Sequence, residues 1–224
     1  MDSYTLTPAD FADTGQWRLI IELRQNGLKA WLENTLHPEV SPQFLCDEEW
    51  HPDRNSLLKN LEEAVYHHPR LLDDFATKIV SFERNTIFIP SSILDSHGAE
   101  FEIYREIYSA EPGDVIYDRK NEITAAWSMG PGIKSFLLRT FPGARMTNHL
   151  MERVMQLKKD NQGPTLYIEQ RISEVDFILL QNENLISAST HIVENNSQID
   201  SVVNDIYFGY GYSPDQLKIK RRLK

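Results

Sequence analysis

Two short stretches carry the same pattern of residues, Ile-Glu-x-Arg: Ile21-Glu22-Leu23-Arg24 and Ile168-Glu169-Gln170-Arg171. An apolar run leads into each, so the charged pair falls near the end of a strand. Arginine presents a planar fork of N–H donors that fits the oxygens of a phosphate. On that chemistry Arg24 and Arg171 are candidate anion ligands. The plainer alternative is that Glu22–Arg24 and Glu169–Arg171 are exposed strand-end residues, which add little to stability.

The elements that must position these residues are hairpins. Trp17–Arg24 and Leu28–Leu32 are apolar runs joined by Gln25-Asn26-Gly27, and Asn-Gly tolerates the positive φ of a tight hairpin turn. Laying Leu19–Leu32 over Leu166–Leu179, an offset of 147 residues, brings together five identities. Leu19 meets Leu166, Ile21 meets Ile168, Glu22 meets Glu169, Arg24 meets Arg171 and Leu32 meets Leu179. The echo is either a duplicated strand–turn–strand unit or two unrelated hairpins whose apolar positions align.

Around these hairpins the pattern alternates between strands and helices, which predicts an α/β fold. Residues 35–52, with Pro38, Pro42 and Pro52, read as an irregular connection. Helices are expected over Asn55–His67, Ala99–Ser109, from Pro131 to Phe141, Leu150–Lys159 and Ser197–Phe208. Lys78–Phe82 and Thr86–Ile89 are expected to pair as a second hairpin across Glu83-Arg84-Asn85. Pro112-Gly113 marks a turn, after which Val115–Tyr117, Glu122–Trp127 and Ala144–Thr147 read as strands. Thr165–Arg171, Val175–Leu180 and Leu185–Thr190 read as three successive strands. Gly163-Pro164 is the clearest boundary, giving a first lobe at 1–163 with an inserted α/β segment and a partial second lobe at 164–224.

A strand–turn–strand unit opening each of two lobes resembles the actin-like ATPase superfamily, whose halves are ribonuclease H-like. Its phosphate motif has the form I-D-I-G-x-x-x-(I/V)-K, and Ile21-Glu22-Leu23-Arg24-Gln25-Asn26-Gly27-Leu28-Lys29 lies on it without a gap. Glu22 falls at the aspartate, Arg24 at the glycine and Lys29 at the lysine, while Ile168–Arg171 falls on the second-lobe stretch. The chain also resembles a bacterial family of uncharacterised proteins with this fold, through Thr86–Leu94 and Phe208–Leu217. The resemblance implies a two-lobed, ribonuclease H-like duplication with a degenerate or incomplete second half. Its nearest functional relatives are cytoplasmic actin-like components of type IV pilus and type II secretion assemblies.

The departures from that pattern shape the functional expectation. An actin-like site uses glycine so that backbone N–H groups approach phosphate closely, and Arg24 and Arg171 put long side chains there. The family aspartates organise a metal ion and water, and glutamate is one methylene longer. No cofactor is therefore expected, with ATP and Mg only under an alternative. The candidate cleft residues are Glu22, Arg24, Lys29, Glu169 and Arg171; no catalytic residue or metal ligand is assigned.

Other chemistry is thin. Cys46-Asp47-Glu48-Glu49 with His51 and Asp53 matches no zinc spacing and reads as a solvated loop before a helix, with Asp53 or Asn55 as its cap. His67-His68-Pro69 suits the end of a helix, and His97, His149 and His191 have no motif partners. P-loop and G-x-S-x-G motifs are absent. Gly209-x-Gly211 lacks a dinucleotide-site context, and Gly130-Pro131-Gly132 reads as a helix-entry turn. The basic end Lys218–Lys224 reads as a frayed or edge strand.

Length and charge bound the rest. The 224 residues are 41% hydrophobic and 25% charged, enough to bury a core. With 23 Lys+Arg against 33 Asp+Glu the net charge is −10, which disfavours a global grip on nucleic acid or an anionic membrane. One cysteine fits a reducing compartment, no apolar run approaches a membrane span, and Met1–Phe11 does not read as a secretory signal. The expectation is a cytoplasmic, non-catalytic actin-like module that binds an unidentified protein, with no nucleic acid and an undetermined oligomeric state. The alternatives are an ATPase or kinase with a variant site at Glu22, Lys29 and Glu169, and a small-molecule binder using an interlobe cleft.

Overall fold

The computed structural model describes residues 14–24, 26–51, 56–83, 86–94, 98–108, 114–159, 161–171 and 174–223. The chain divides into two compact units. Unit 1 is Met1–Arg84, Phe101–Tyr117 and Ser128–Thr147; unit 2 is Asn85–Glu100, Asp118–Trp127 and Asn148–Lys224. His97, Pro112-Gly113, and the Asp53 and Asn55 cap candidates fall outside the described residues.

Unit 1 is built on the expected hairpin. β1 (Trp17–Arg24) and β2 (Gly27–Asn34) pair antiparallel from Trp17↔Asn34 to Arg24↔Gly27. Leu19, Ile21, Leu23, Leu28, Ala30 and Leu32 are all fully buried, because strict alternation puts them on one face. β3 (Gln43–Glu49) continues the sheet antiparallel to β2. The expectation of an irregular connection over 35–52 missed it. Its flanking prolines suggested a loop, yet none lies inside the strand, so every ladder donor is kept. Helix α1 (Leu57–His67) follows, capped by Ser56, whose Oγ accepts from the Lys59 N–H at 3.3 Å.

The chain then returns as β4 (Thr77–Phe82), parallel to β1. The expected hairpin between β4 and β5 (Thr86–Pro90) does not form. β5 instead pairs antiparallel with β7 (Ile123–Ser128), in a small sheet of order β5-β7-β6 with β6 at Val115–Lys120. Alternating apolar strands on either side of a polar turn satisfy both arrangements. The open side of β1 accepts β4, and that pairing wins. Helices α2 (Ala99–Ile107) and α3 (Ile133–Thr140) and strand β8 (Arg145–Asn148) appear where expected, and the large sheet of unit 1 has the order β3-β2-β1-β4-β8. At α3 the left-handed Gly132 is the entry residue, and its N–H is taken by Asp114 Oδ1 at 3.1 Å, which accounts for the Gly130-Pro131-Gly132 turn.

Unit 2 repeats the plan. After α4 (His149–Lys158), β9 (Pro164–Gln170), β10 (Glu174–Gln181) and β11 (Asn184–Ile192) run as a three-strand meander. Helix α5 (Asn196–Tyr210) crosses, and β12 (Lys218–Leu223) lies parallel to β9. Leu166, Ile168, Val175, Phe177 and Leu179 meet Ile199 and Val203 of α5 in one core. The offset of 147 that aligns the sequences also aligns the ladders. Leu19↔Leu32 becomes Leu166↔Leu179, and Glu22↔Lys29 becomes Glu169↔Asp176. The echo is therefore a shared register as well as a shared wording. The sheet order is β11-β10-β9-β12, and the expected edge strand at the basic end is present. No helix among the described residues is long and apolar enough to cross a membrane.

Gly27 shows how tightly the first hairpin is fitted. A methyl at its Cα would sit 2.6 Å from the Glu48 carbonyl oxygen and 3.3 Å from an Arg24 guanidinium nitrogen. Gly27→Ala is expected to lower stability by about 1–3 kcal/mol through this overpacking, read as a drop in urea midpoint at unchanged slope. An unaltered midpoint would show that β3 yields freely.

Candidate functional site

Register places a row of polar residues across each sheet near the carboxyl ends of β1 and β9. Ligands of open α/β sheets bind outside the carboxyl ends of strands. In unit 1 the row is Ser81, Glu22, Lys29 and Asp47. In unit 2 it is Arg222, Glu169, Asp176 and Thr190. Residues directly opposite across a ladder share a face, so each row is a set of neighbours.

In unit 1, Glu22 and Lys29 are direct register partners and half-buried. Arg24 joins their row at Asp47. It lies over Gly27, and its guanidinium is ion-paired with Asp47 on β3. Asp47 thus comes from the segment first read as a solvated loop, and so does Glu48, which binds His68 Nε2 at 2.5 Å just past the end of α1. Cys46 between them is buried. Burial, then the Glu48 and Asp47 carboxylates, pushes its thiol up to about 11. A thiol so raised is a poor nucleophile at neutral pH.

The denser cluster is in unit 2. Glu169 and Asp176 face each other across β9 and β10, and each is only 1% exposed. Two like charges side by side in the interior persist only with cations and hydrogen bonds around them. Helix α4 supplies both kinds of partner. Arg153 places its Nε 2.6 Å from Glu169 Oε1, and His149 places Nε2 3.1 Å from Asp176 Oδ1. From the end of β9, an Arg171 Nη atom reaches the same Asp176 oxygen at 3.0 Å and Glu174 at 3.0 Å. Thr190 on β11 donates its hydroxyl to that oxygen at 2.7 Å. Burial alone would raise the Asp176 carboxyl. The hydrogen bond and charge of His149, the charge of Arg171 and the Thr190 hydroxyl outweigh it, and the net direction is down.

Of the five candidates, the structure brings Glu169 and Arg171 into one cluster through Asp176. Glu22 and Lys29 form a register pair in unit 1, and Arg24 joins their row through Asp47. Sequence reasoning missed Asp176, Arg153, His149 and Thr190. One signal was present: Asp176 and Glu169 each put a charge inside an otherwise apolar strand. No group of three or more histidine, cysteine or carboxylate side chains that could hold a metal ion occurs among the described residues.

Topology and register are those of a duplicated ribonuclease H-like sheet, and comparison with known proteins agrees. Residues 7–200 match the family described as "Protein of unknown function (DUF3822)". The chain belongs to that family. No curated protein matches it. A Bacteroides thetaiotaomicron protein with actin-like ATPase fold and unknown function is similar over 96% of this chain and 84% of that one, at a TM-score of 0.80 and 15% identity. The DUF3822 chain thus has the actin-like ATPase fold. An exopolyphosphatase from Cytophaga hutchinsonii is matched over 87% of this chain and 60% of its own, at a TM-score of 0.38 and 10% identity. A PilM-PilN type IV pilus biogenesis complex is matched over 88% and 66%, at 0.42 and 12%. Likeness at those two scores fixes no activity.

Two outcomes test this geometry. Removing one member of a buried ion pair strands the other, so Asp176→Asn is expected to lower stability at neutral pH by about 3 kcal/mol. Because the folded carboxyl titrates below its ordinary 3.8, the unfolded chain binds the extra proton first. The Asp176 contribution is therefore full above that value and lost as pH falls through the folded one. Urea melts of wild type and variant should converge in acid; a constant gap would contradict the assignment. Cys46 should resist maleimide in the native protein and react promptly in denaturant, and rapid native labelling would contradict its burial.

Proposed function

We propose that this DUF3822 chain is a non-catalytic module of actin-like fold that acts by binding another protein, in the cytoplasm. The observation that carries it is the state of the unit 2 row. Mg·ATP in such a fold needs carboxylates facing a metal and backbone N–H groups facing phosphate. Here Glu169 and Asp176 are buried against Arg153, Arg171 and His149. Arg24, at the glycine of the resembled phosphate motif, is committed to Asp47. That donor set does not suit a magnesium nucleotide, since displacing Arg153 and Arg171 from the carboxylates would leave largely buried guanidinium groups without these partners.

A second reading has one specific support. Glu22 and Lys29 are half-buried register partners at the carboxyl end of β1, so unit 1 retains an acid and a base where a variant ATPase or kinase would use them.

Calorimetric titration with Mg·ATP separates the two. The proposal predicts no heat beyond dilution and no phosphate release above background, in wild type and in Glu22→Gln alike. Saturable, Mg-dependent binding, or turnover abolished by Glu22→Gln, would overturn it in favour of the ATPase reading.

A further inference from the structure

The sheets of the two units match strand for strand up to a point. β3 answers to β11, β2 to β10, β1 to β9 and β4 to β12, with the first three antiparallel in each unit and the fourth parallel to the first. In unit 1, β8 then lies beside β4. In unit 2, among the described residues, no strand lies beside the outer side of β12. An edge of this kind presents a row of backbone N–H and C=O groups ready to pair with another strand.

The side chains of β12 restrict what can pair there. Lys218, Lys220, Arg221 and Arg222 are all exposed, in a chain whose net charge is −10. Lys218, Lys220 and Arg222 alternate and so share one face. Lys220 is held over the Tyr167 ring at 4.9 Å, and Arg221 reaches Asp200 at 3.2 Å. Like charges directly opposite destabilise a ladder, so two copies of β12 do not pair with each other. A strand bearing carboxylates is complemented.

We infer that the outer edge of β12 receives an extended acidic segment of a partner protein as a fifth strand, in the position that β8 holds in the sheet of unit 1. The inference rests on the protein-binding reading above and names the partner's chemistry. Main-chain hydrogen bonds supply affinity in such strand addition, and alternate side chains supply selectivity. Acidic residues at every second position would meet Lys218, Lys220 and Arg222.

The test uses the full chain and a fluorescent peptide of about six residues, the length of β12, alternating Val and Glu, with a Val–Lys peptide as control. Anisotropy should show saturable binding of the acidic peptide, weakened by salt, and none of the basic one. The double reversal Lys220→Glu with Arg222→Glu should weaken it about tenfold or more. Should that variant lose its fold, the milder Lys220→Gln with Arg222→Gln should weaken it in the same direction. Amide exchange at residues 218–223 should slow when peptide binds. Absence of saturable binding, binding indifferent to both double variants, or tighter binding of a single-stranded oligonucleotide would overturn the inference. A Mg·ATP titration on the same sample keeps the failures apart. Bound nucleotide defeats the functional reading, whereas lost peptide binding without nucleotide defeats only the strand-addition site.

Discussion

Two carboxylates forced against each other in a dry place constrain unit 2 more than any other feature. Glu169 and Asp176 cannot relax apart, because the β9–β10 register that seats Leu166 against Leu179 also seats them opposite one another. Slipping the register by one residue would bring Asp176 to the face that packs on Ile199 and Val203 of α5. The charges must therefore be answered in place, and Arg153 answers them at Glu169 Oε1 while His149, Arg171 and Thr190 do so at Asp176 Oδ1. Helix α4 is tied to the sheet by the same contacts. Core, register and ion cluster thus specify one another.

Unit 1 solves the same position differently. Lys29 stands where Asp176 stands in unit 2, so the row there alternates in sign: Glu22, Lys29, Asp47. Opposite charges across a ladder favour one another, and Glu22 and Lys29 remain half-buried rather than sealed. The duplication has kept the scaffold while the two polar rows diverged, one into a closed cluster and the other into a partly open pair. Fold and function separate along that line. The actin-like sheet is retained, and its chemistry depends on what fills each row.

Much of this was legible in the sequence where interactions are local. Asn26-Gly27 between alternating runs marks a hairpin, and the repeated Ile-Glu-x-Arg points to Glu169 and Arg171. The strand β3 was hidden because Pro38, Pro42 and Pro52 surround it, and a proline flanking a strand looks the same as one inside a loop. The partner of β4 was misjudged because chain proximity favoured β5, while the open side of β1 decided the pairing. Arg153 and His149 could not be linked to Glu169 and Asp176 from spacing at all. They approach the two carboxylates from a helix laid over the sheet, so the contacts exist only once α4 has packed. The commitment of Arg24 to Asp47 was hidden for the same reason, since it depends on β3.

Manganese titration followed by electron paramagnetic resonance tests most directly whether the unit 2 carboxylates are spoken for from within. The account predicts that the wild-type chain leaves the aqueous Mn²⁺ signal undiminished in nucleotide-free buffer, because Glu169 and Asp176 already hold Arg153, His149 and Arg171. Stoichiometric loss of that signal in wild type, restored by Asp176→Asn, would contradict it.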